Sequence, residues 1–222
     1  PKIATKFNIK LVFYGENEAE YGNPIAENAS SIRKASYFVT KNFNELYLAG
    51  IKIKDLLKNF DLKLNDLKIF LPEGEKEFLK KKIQIHYLGY YLRWVPQEAY
   101  YYAVENTGFK PRPFRTQGTF SKYNSIDDKI DDLHYYTTYI KFGLGRASYD
   151  ASQEIRNGHI NRKEAMMLVK KYDGEFPKRY FEDFLEYCDM GEDRFWEVVD
   201  SWRGLHLWDK IDGEWKLQQK VQ

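Results

Sequence analysis

The stretch SKYNSIDDKIDDLHYY, Ser121 to Tyr136, places four carboxylates within six residues: Asp127, Asp128, Asp131 and Asp132, with Lys129 among them. Two chemistries compete for it. On a helix capped by Ser125, with Asp128 as its acidic capping partner, Asp127 and Asp128 lie in the first turn. There the helix dipole favours each negative charge by about 0.3–1 kcal/mol. Asp131 and Asp132 lie past that turn. At helical spacing 127 meets 131 and 128 meets 132, and such like-charged pairs repel by roughly 0.2–0.5 kcal/mol. His134 follows on the same side. Two carboxylates and an imidazole on one face suit a divalent cation such as Mg²⁺, held through oxygen ligands. The other reading is a solvated acidic face. Lys122, Lys129, Lys141, Arg146 and Arg156 are interleaved with Asp150 and Glu154 along the same stretch. That interleaving suits a phosphate–metal ligand.

The elements that must position these groups can be read from period and punctuation. NIKLVFY reads as a buried strand over Ile9 to Tyr14, closing in the turn Gly15 to Asn17. A second strand fits KIQIHYLGYY, Lys82 to Tyr91. Two strands do not make a stable sheet, so part of the sheet is expected to be missing from this chain. Alternatively, strands lie within residues 35 to 80, for example in KASYFVT or LKIFL. Pro96 opens a helix that Gly108 closes. ENTGFKPRPFRTQGTFSKYN is a long loop, of a length that is usually functional or disordered.

Beyond Ser121 the pattern is helical. Ile126, Ile130, Leu133, Thr137 and Ile140 mark one buried face, broken by Gly143 and Gly145. Further helices fit Ala147 to Asn157, a segment boxed by Asn161 and Glu164, one begun by Pro177, and one capped by Asp189 with Glu192. WDKI-DG-EWKL is a hairpin, because Asp-Gly suits a type I′ turn.

Composition narrows the function. Apolar residues at 43% with 31% charged indicate a globular chain. The net charge of +2 gives no electrostatic case for nucleic acid or an anionic membrane. No apolar run reaches the ~18 residues that span a bilayer. The single cysteine, Cys188, excludes an internal disulfide and reads as buried in the helical run FLEYCDM. A reducing cytoplasm is the expected compartment.

The runs FYGENEAEYGNP, HYLGYYLRWVPQEAYYYAVENTGF, GTFSKYNSIDDKIDDLHYYTTYIKFGLGRASYDASQEIRNGHI and KKYDGEFPKRYFEDFLEY resemble the bacterial N-acetyl sugar amidotransferases of surface-sugar biosynthesis. The resemblance extends from about Phe13 to HLWDKIDGEWKL. It implies a PP-loop ATP pyrophosphatase fold with a five-stranded parallel sheet. It also implies a reaction: ATP adenylates the oxygen of a sugar N-acetyl group, and ammonia displaces AMP to leave an acetamidino group. ATP and Mg²⁺ are the implied cofactors. A sugar or nucleotide-sugar is the implied substrate, and a glutaminase subunit the implied ammonia source. Products of this kind belong to lipopolysaccharide O-antigens and flagellin-type nonulosonic acids. The family's Ser-Gly-Gly-x-Asp-Ser loop and N-terminal cysteine cluster are not in this sequence. The resemblance therefore covers the family's C-terminal part, and a separate half bearing the ATP loop is a possible partner.

The expected fold class is α/β, an incomplete parallel Rossmann-like sheet over residues 1–110 with a long helical crossover. A helical region over 111–222 ends in the hairpin. On the resemblance, Gly15, Glu16 and Asn17 stand at a strand's carboxyl end for nucleotide or substrate, and Lys122 neutralises phosphate. Asp127, Asp128 and Asp131 hold metal or position ammonia, with Asp127 and Asp131 as the Mg²⁺ pair. Tyr123, Lys141 and Arg146 contact nucleotide, phosphate or sugar. Tyr100 to Tyr102 are read as stacking on a sugar or as core. His86, His159 and His206 have no metal-site spacing. The rival readings are a PP-loop ligase acting on another acceptor, and a non-catalytic module that docks an ATP-binding half or the glutaminase.

Overall fold

The computed structural model describes residues 1–15 and 30–219. They form two compact units, Pro1–Trp94 and Val95–Gln222.

In the first unit, helix α1 (Lys2–Phe7) ends at Asn8, whose left-handed φ of 56° turns the chain into strand β1 (Leu11–Tyr14). The short strands β2 (Val39–Thr40), β3 (Tyr47–Leu48) and β4 (Ile51–Lys52) follow. Helices α2 (Ile53–Asn59) and α3 (Leu64–Leu67), strand β5 (Glu73–Gly74), helix α4 (Glu75–Lys80), strand β6 (Gln84–Tyr87) and helix α5 (Leu88–Tyr91) complete it.

The two strands expected from sequence pair with each other. β1 and β6 are parallel, in register from Leu11 opposite Gln84 to Tyr14 opposite Tyr87. On its other edge β6 accepts segment 31–33: Arg33 N–H donates to Ile85 O at 2.9 Å and Tyr87 N–H to Ser31 O at 3.1 Å. β6 is thus paired on both sides and largely buried, whereas β1 has no partner on its outer edge among the described residues. Leu11 and Phe13 remain 48% and 49% exposed, so β1 is shorter and less buried than its apolar run predicts. Only Val12 and Tyr14 turn inward, onto Ala4, Phe78, Ile83 and Ile85.

The segment 35 to 80 does hold strands. β2, inside KASYFVT, pairs in parallel with β5, and β3 with β4 makes a small hairpin. LKIFL forms no strand. The architecture is mixed α/β with small parallel pairs.

The second unit contains helices α6 (Pro96–Asn106), α7 (Asp131–Phe142), α8 (Arg146–Asn157), α9 (Arg162–Tyr172), α10 (Phe181–Tyr187) and α11 (Glu192–Ser201). Strands β7 (Trp208–Ile211) and β8 (Glu214–Leu217) close it. Leu133 and Ile140 of α7 pack on Phe181, Phe195, Val199 and Trp208. Trp208 Nε1–H donates to Ile140 O at 2.7 Å, so the buried indole is satisfied.

Local signals explain several boundaries. Pro96 is the first residue of α6, and Gly108 beyond its end has φ of 73°. Asn161 and Glu164 form the reciprocal capping box of α9, at 3.1 and 2.9 Å. The β7–β8 turn holds Asp212 and Gly213 at φ of 52° and 84°, as a type I′ turn requires. No helix among the described residues is long and apolar enough to cross a membrane.

Four expectations change. α10 begins at Phe181, four residues after Pro177, and α11 is capped by Gly191 and not by Asp189. Cys188 is exposed, because it falls at the end of α10 and not on its buried face. The fourth is α7, which begins at Asp131 and not near Ser125. Ser125 takes a left-handed φ of 50°, which no helix interior accommodates. Asp128 Oδ1 instead accepts from Ile130 N–H at 2.6 Å and turns the chain into the helix. Asp127 and Asp128 therefore lie in the loop, and the helical pairing of 127 with 131 and 128 with 132 is not formed.

Candidate functional site

The loop from Thr107 to Ile130 is held by two arginines. Arg112 Nη2 donates to Ser125 O at 2.6 Å and Asp128 O at 3.1 Å, and Nη1 reaches Asp132 Oδ1 at 3.5 Å. The Arg112 and Asp132 side chains are 9% and 1% exposed. Burial raises the Asp132 pKa, and the charges of Arg112 and Arg179 oppose the rise. Asp132 is thus a loop anchor and no part of a solvated face.

Arg115 grips Glu175 through two bonds of 2.6 Å, and Gly118 N–H adds a third to that carboxylate at 2.8 Å. Burial pushes the Glu175 pKa up, but the Arg115 and Gly118 hydrogen bonds and the Arg115 charge outweigh it, so the net shift is downward. The chain ladder is short: Arg112 N–H donates to Lys122 O at 3.0 Å and Thr116 N–H to Ser121 O at 2.9 Å.

This folded loop lies against one face of α8 and closes a small polar cleft. Pro96, Phe120, Ser121, Tyr123, Asn124, Arg146, Asp150, Gln153 and Glu154 line a volume of about 30 Å³. That is room for one or two water-sized molecules. Asp150 Oδ1 accepts from Arg146 Nε at 2.9 Å. Its Oδ2 accepts from Thr119 Oγ1 at 2.5 Å and Asn124 Nδ2 at 2.7 Å. Burial raises the Asp150 pKa, while Arg146, Thr119 and Asn124 favour its ionised form.

One turn on, Glu154 Oε2 lies 2.5 Å from His159 Nδ1. Gly158, at φ of 79°, ends α8 and turns the imidazole back onto Glu154. Ser121 is 8% exposed, and its Oγ has no hydrogen-bond partner among the described residues. Tyr123 stacks on Tyr100 at 4.6 Å and donates to Gln97 Oε1 at 3.0 Å. Burial, then the charges of Glu154 and Asp150, push its phenol up to about 12, so it stays a neutral donor. A carboxylate–imidazole pair beside a second, charge-paired carboxylate can bind a small polar or cationic species and accept a proton from it.

Of the residues singled out from sequence, the structure brings Tyr123 and Arg146 into this cleft. Arg146 is committed to Asp150 and lies 4.9 Å from the Tyr135 ring centroid. Lys122, Asp127 and Asp128 are exposed on the loop, and Asp131 opens α7; none lines the cleft. Lys141, in the last turn of α7, sits 4.2 Å over the Trp202 ring. Gly15 is exposed directly after β1, while Glu16 and Asn17 lie outside the described residues. Tyr101 and Tyr102 are exposed, so only Tyr100 packs on the cleft's wall.

Among the described residues, no three His, Cys, Asp or Glu side chains converge to hold a metal ion. A Mg²⁺ held by one or two carboxylates together with the phosphates of a nucleotide needs no such cluster. The α8 N-terminus does not offer itself to phosphate. Asp173 caps it, accepting from Gly145 N–H and Ser148 N–H at 3.1 Å each and from Ser148 Oγ at 2.5 Å. A Cβ at Gly145 would come within 2.7 Å of Asp173 Oδ1, so only glycine allows that cap.

Sequence reasoning missed Asp150, Glu154 and His159 as a group. The available signal was Glu154 and His159 five apart across Gly158, the spacing of a helix end folding back on itself.

The fold and cleft define a mixed α/β chain whose helical second unit carries a compact polar site. Residues 117–222 match the family model described as LPS biosynthesis protein WbpG-like, C-terminal domain. The match covers all of the cleft except Pro96, and it ties this region to lipopolysaccharide biosynthesis. No curated protein matches the chain.

Proposed function

We propose that this chain is the C-terminal portion of an ATP-dependent N-acetyl sugar amidotransferase of bacterial surface-glycan synthesis, working in the cytoplasm. The observation that carries the reading is the cleft: a water-sized polar chamber with a proton-accepting Glu154–His159 pair, built from the segment that matches the lipopolysaccharide-biosynthesis family.

An amide carbon is a poor electrophile. Transfer of AMP from Mg²⁺–ATP onto the acetyl oxygen, with loss of pyrophosphate, makes that oxygen a leaving group. The lone pair of ammonia then forms the C–N bond, and the C–O bond breaks with its electron pair leaving on AMP. The nitrogen sheds a proton, for which Glu154 is the acceptor. The substrate is a sugar or nucleotide-sugar, and the ammonia comes from a glutaminase subunit. Mg²⁺ enters as the counter-ion of the nucleotide, held by phosphates and water. In this reading Gly15, Glu16 and Asn17 are assigned to the nucleotide or substrate. Lys122 is assigned to phosphate, Asp127, Asp128 and Asp131 to metal or ammonia, and Lys141 and Arg146 to phosphate or a sugar carboxylate.

The test is release of AMP and pyrophosphate from ATP by the full-length protein, dependent on both an N-acetyl sugar and ammonium. Mass spectrometry of the sugar should show oxygen replaced by NH. ATP turnover without that replacement sinks the reading.

A second reading has its own support. The outer edge of β1, unpaired among the described residues and with Leu11 and Phe13 half exposed, suits a chain that docks a separate ATP-binding half. Calorimetric titration of Mg²⁺–ATP into the 222-residue chain separates the two. Saturable binding favours a nucleotide site on this chain, and no binding by the folded chain favours the docking half.

A further inference from the structure

We propose that the hollow between helices α8 and α9 is a binding site for a small amphipathic anion, an apolar body carrying one carboxylate or phosphate head.

Position sets the hollow apart from the polar cleft. On α8, Arg146, Asp150, Gln153 and Glu154 recur at helical spacing towards the cleft. Ser148, Ala151, Ser152 and Ile155 occupy the opposite face of the same helix and line the hollow. The two share no lining residue, so the inference goes beyond the amidotransferase reading and does not depend on it.

Walls and size are the first argument. The floor is the buried cluster of Ala151, Ala165 and Val169. Alanines at 151 and 165 fill little of the space between the helices, and a volume of about 430 Å³ remains. Small-molecule pockets run from roughly 300 to 1,000 Å³ and are mostly apolar with a few polar groups. Leu144, Tyr149 and Ile155 border this one and are left half exposed, so an apolar body entering it removes their surface from water.

Charge is the second argument. The charged side chains that line the hollow are Arg156 and Arg162, and no carboxylate joins them among the described residues. Such a lining repels a cation. It suits a carboxylate or phosphate, which a guanidinium grips through paired N–H bonds. Arg162 is also the first residue of α9, where the helix dipole disfavours a positive charge and a bound anion offsets it.

Hydrogen bonding is the third. Ser148 Oγ is spent on Asp173 Oδ2 at 2.5 Å, which leaves the hydroxyls of Tyr149 and Ser152. A sugar would set its own hydroxyls against Leu144, Ile155 and Met166, where they find no partner. A bare inorganic anion would leave those walls uncovered. An apolar body with one anionic end meets both demands.

The experiment is calorimetric titration of the 222-residue chain with octanoate, octyl phosphate, octanol, octyltrimethylammonium and inorganic phosphate, each below any micelle concentration. Octanoate and octyl phosphate should bind saturably, one per chain, and the tighter of the two names the head group. Octanol, octyltrimethylammonium and inorganic phosphate should each bind roughly tenfold more weakly or worse, the loss expected for one charge-assisted hydrogen bond or for the apolar body. Arg162→Gln, at an exposed position, should weaken both amphipathic anions by about the same factor and leave octanol unchanged. Ser152→Trp, filling the hollow from an exposed position, should abolish binding. The proposal is overturned if neither octyl anion binds, or if the cation or inorganic phosphate binds as well as they do. Undiminished binding of the octyl anions by folded Arg162→Gln or Ser152→Trp overturns it too. Sedimentation velocity covers the rival occupant: dimerisation that Ser152→Trp abolishes, with no anion bound, gives the hollow to a second copy of the chain and sinks the proposal. Should Ser152→Trp not fold, Arg162→Gln and the wild-type series still decide.

Discussion

Arg112→Ala is the substitution whose cost the geometry fixes best. The guanidinium faces Asp132 at 3.5 Å with both side chains nearly enclosed, and it also donates to the Ser125 and Asp128 carbonyls. Its removal leaves a carboxylate inside the protein with no counter-charge in contact and two loop carbonyls without their donor. Breaking a buried pair from one side costs about 3–5 kcal/mol. At roughly 2–4 °C per kcal/mol for a chain of this size, the melting temperature should fall by ~6–20 °C. The deficit should also depend on pH. Burial already raises the Asp132 pKa in the native protein, and loss of Arg112 raises it further. A carboxyl whose folded pKa exceeds its unfolded value binds more protons when folded, so stability falls as pH rises between the two. Acidification through that window should therefore return part of what Arg112→Ala loses. Arg112→Met with Asp132→Leu removes both charges and should be milder than Arg112→Ala. Differential scanning calorimetry of these proteins across pH is the assay. A loss under 1 kcal/mol for Arg112→Ala, or a deficit that grows on acidification, refutes the buried-pair reasoning.

Glu175 should behave in the opposite sense to Asp132. Its folded pKa lies below the ordinary 4.5, so its stabilisation is complete above the unfolded value and is lost as pH falls through the folded one. The gap in melting temperature between the wild type and Glu175→Gln should close over that acid range. Cys188 is exposed, so one thiol should react with a disulfide reagent in the native chain as fast as in denaturant; a native lag contradicts its placement. Gly213→Ala meets no neighbour and is strained only by φ of 84°, costing about 1 kcal/mol. Gly174→Ala adds a Cβ 2.5 Å from the Tyr139 ring to a φ of 78°, and should cost clearly more than Gly213→Ala in denaturant unfolding.

Elements announced by local chemistry were legible in the sequence. The Asn161–Glu164 box, the Asp212–Gly213 turn, the proline of α6 and the β1–β6 strands each depend on residues a few positions apart. The start of α7 was not legible in that way. The dipole argument suited Asp127 and Asp128 on a helix, but Arg112, twenty positions before Asp132, ties the loop carbonyls of 125 and 128 and so delays the helix. Nothing periodic in the sequence announces such a tie. The cleft was half legible. Its cations and carboxylates stood out by interleaving, but Asp150 and Glu154 were chosen over Asp127 and Asp128 by burial, which depends on how the loop folds over α8. Cys188 was misplaced because its helix ends one residue earlier, turning an inward position outward.

The outer edge of β1, unpaired among the described residues, bears on how the chain behaves when handled alone. A strand edge without a partner, beside half-exposed Leu11 and Phe13, is a template for self-association. At high concentration the isolated chain should accumulate soluble aggregates through that edge. A lysine at position 11, pointing to the uncovered face, would suppress them without touching the Val12–Tyr14 contacts that anchor the strand.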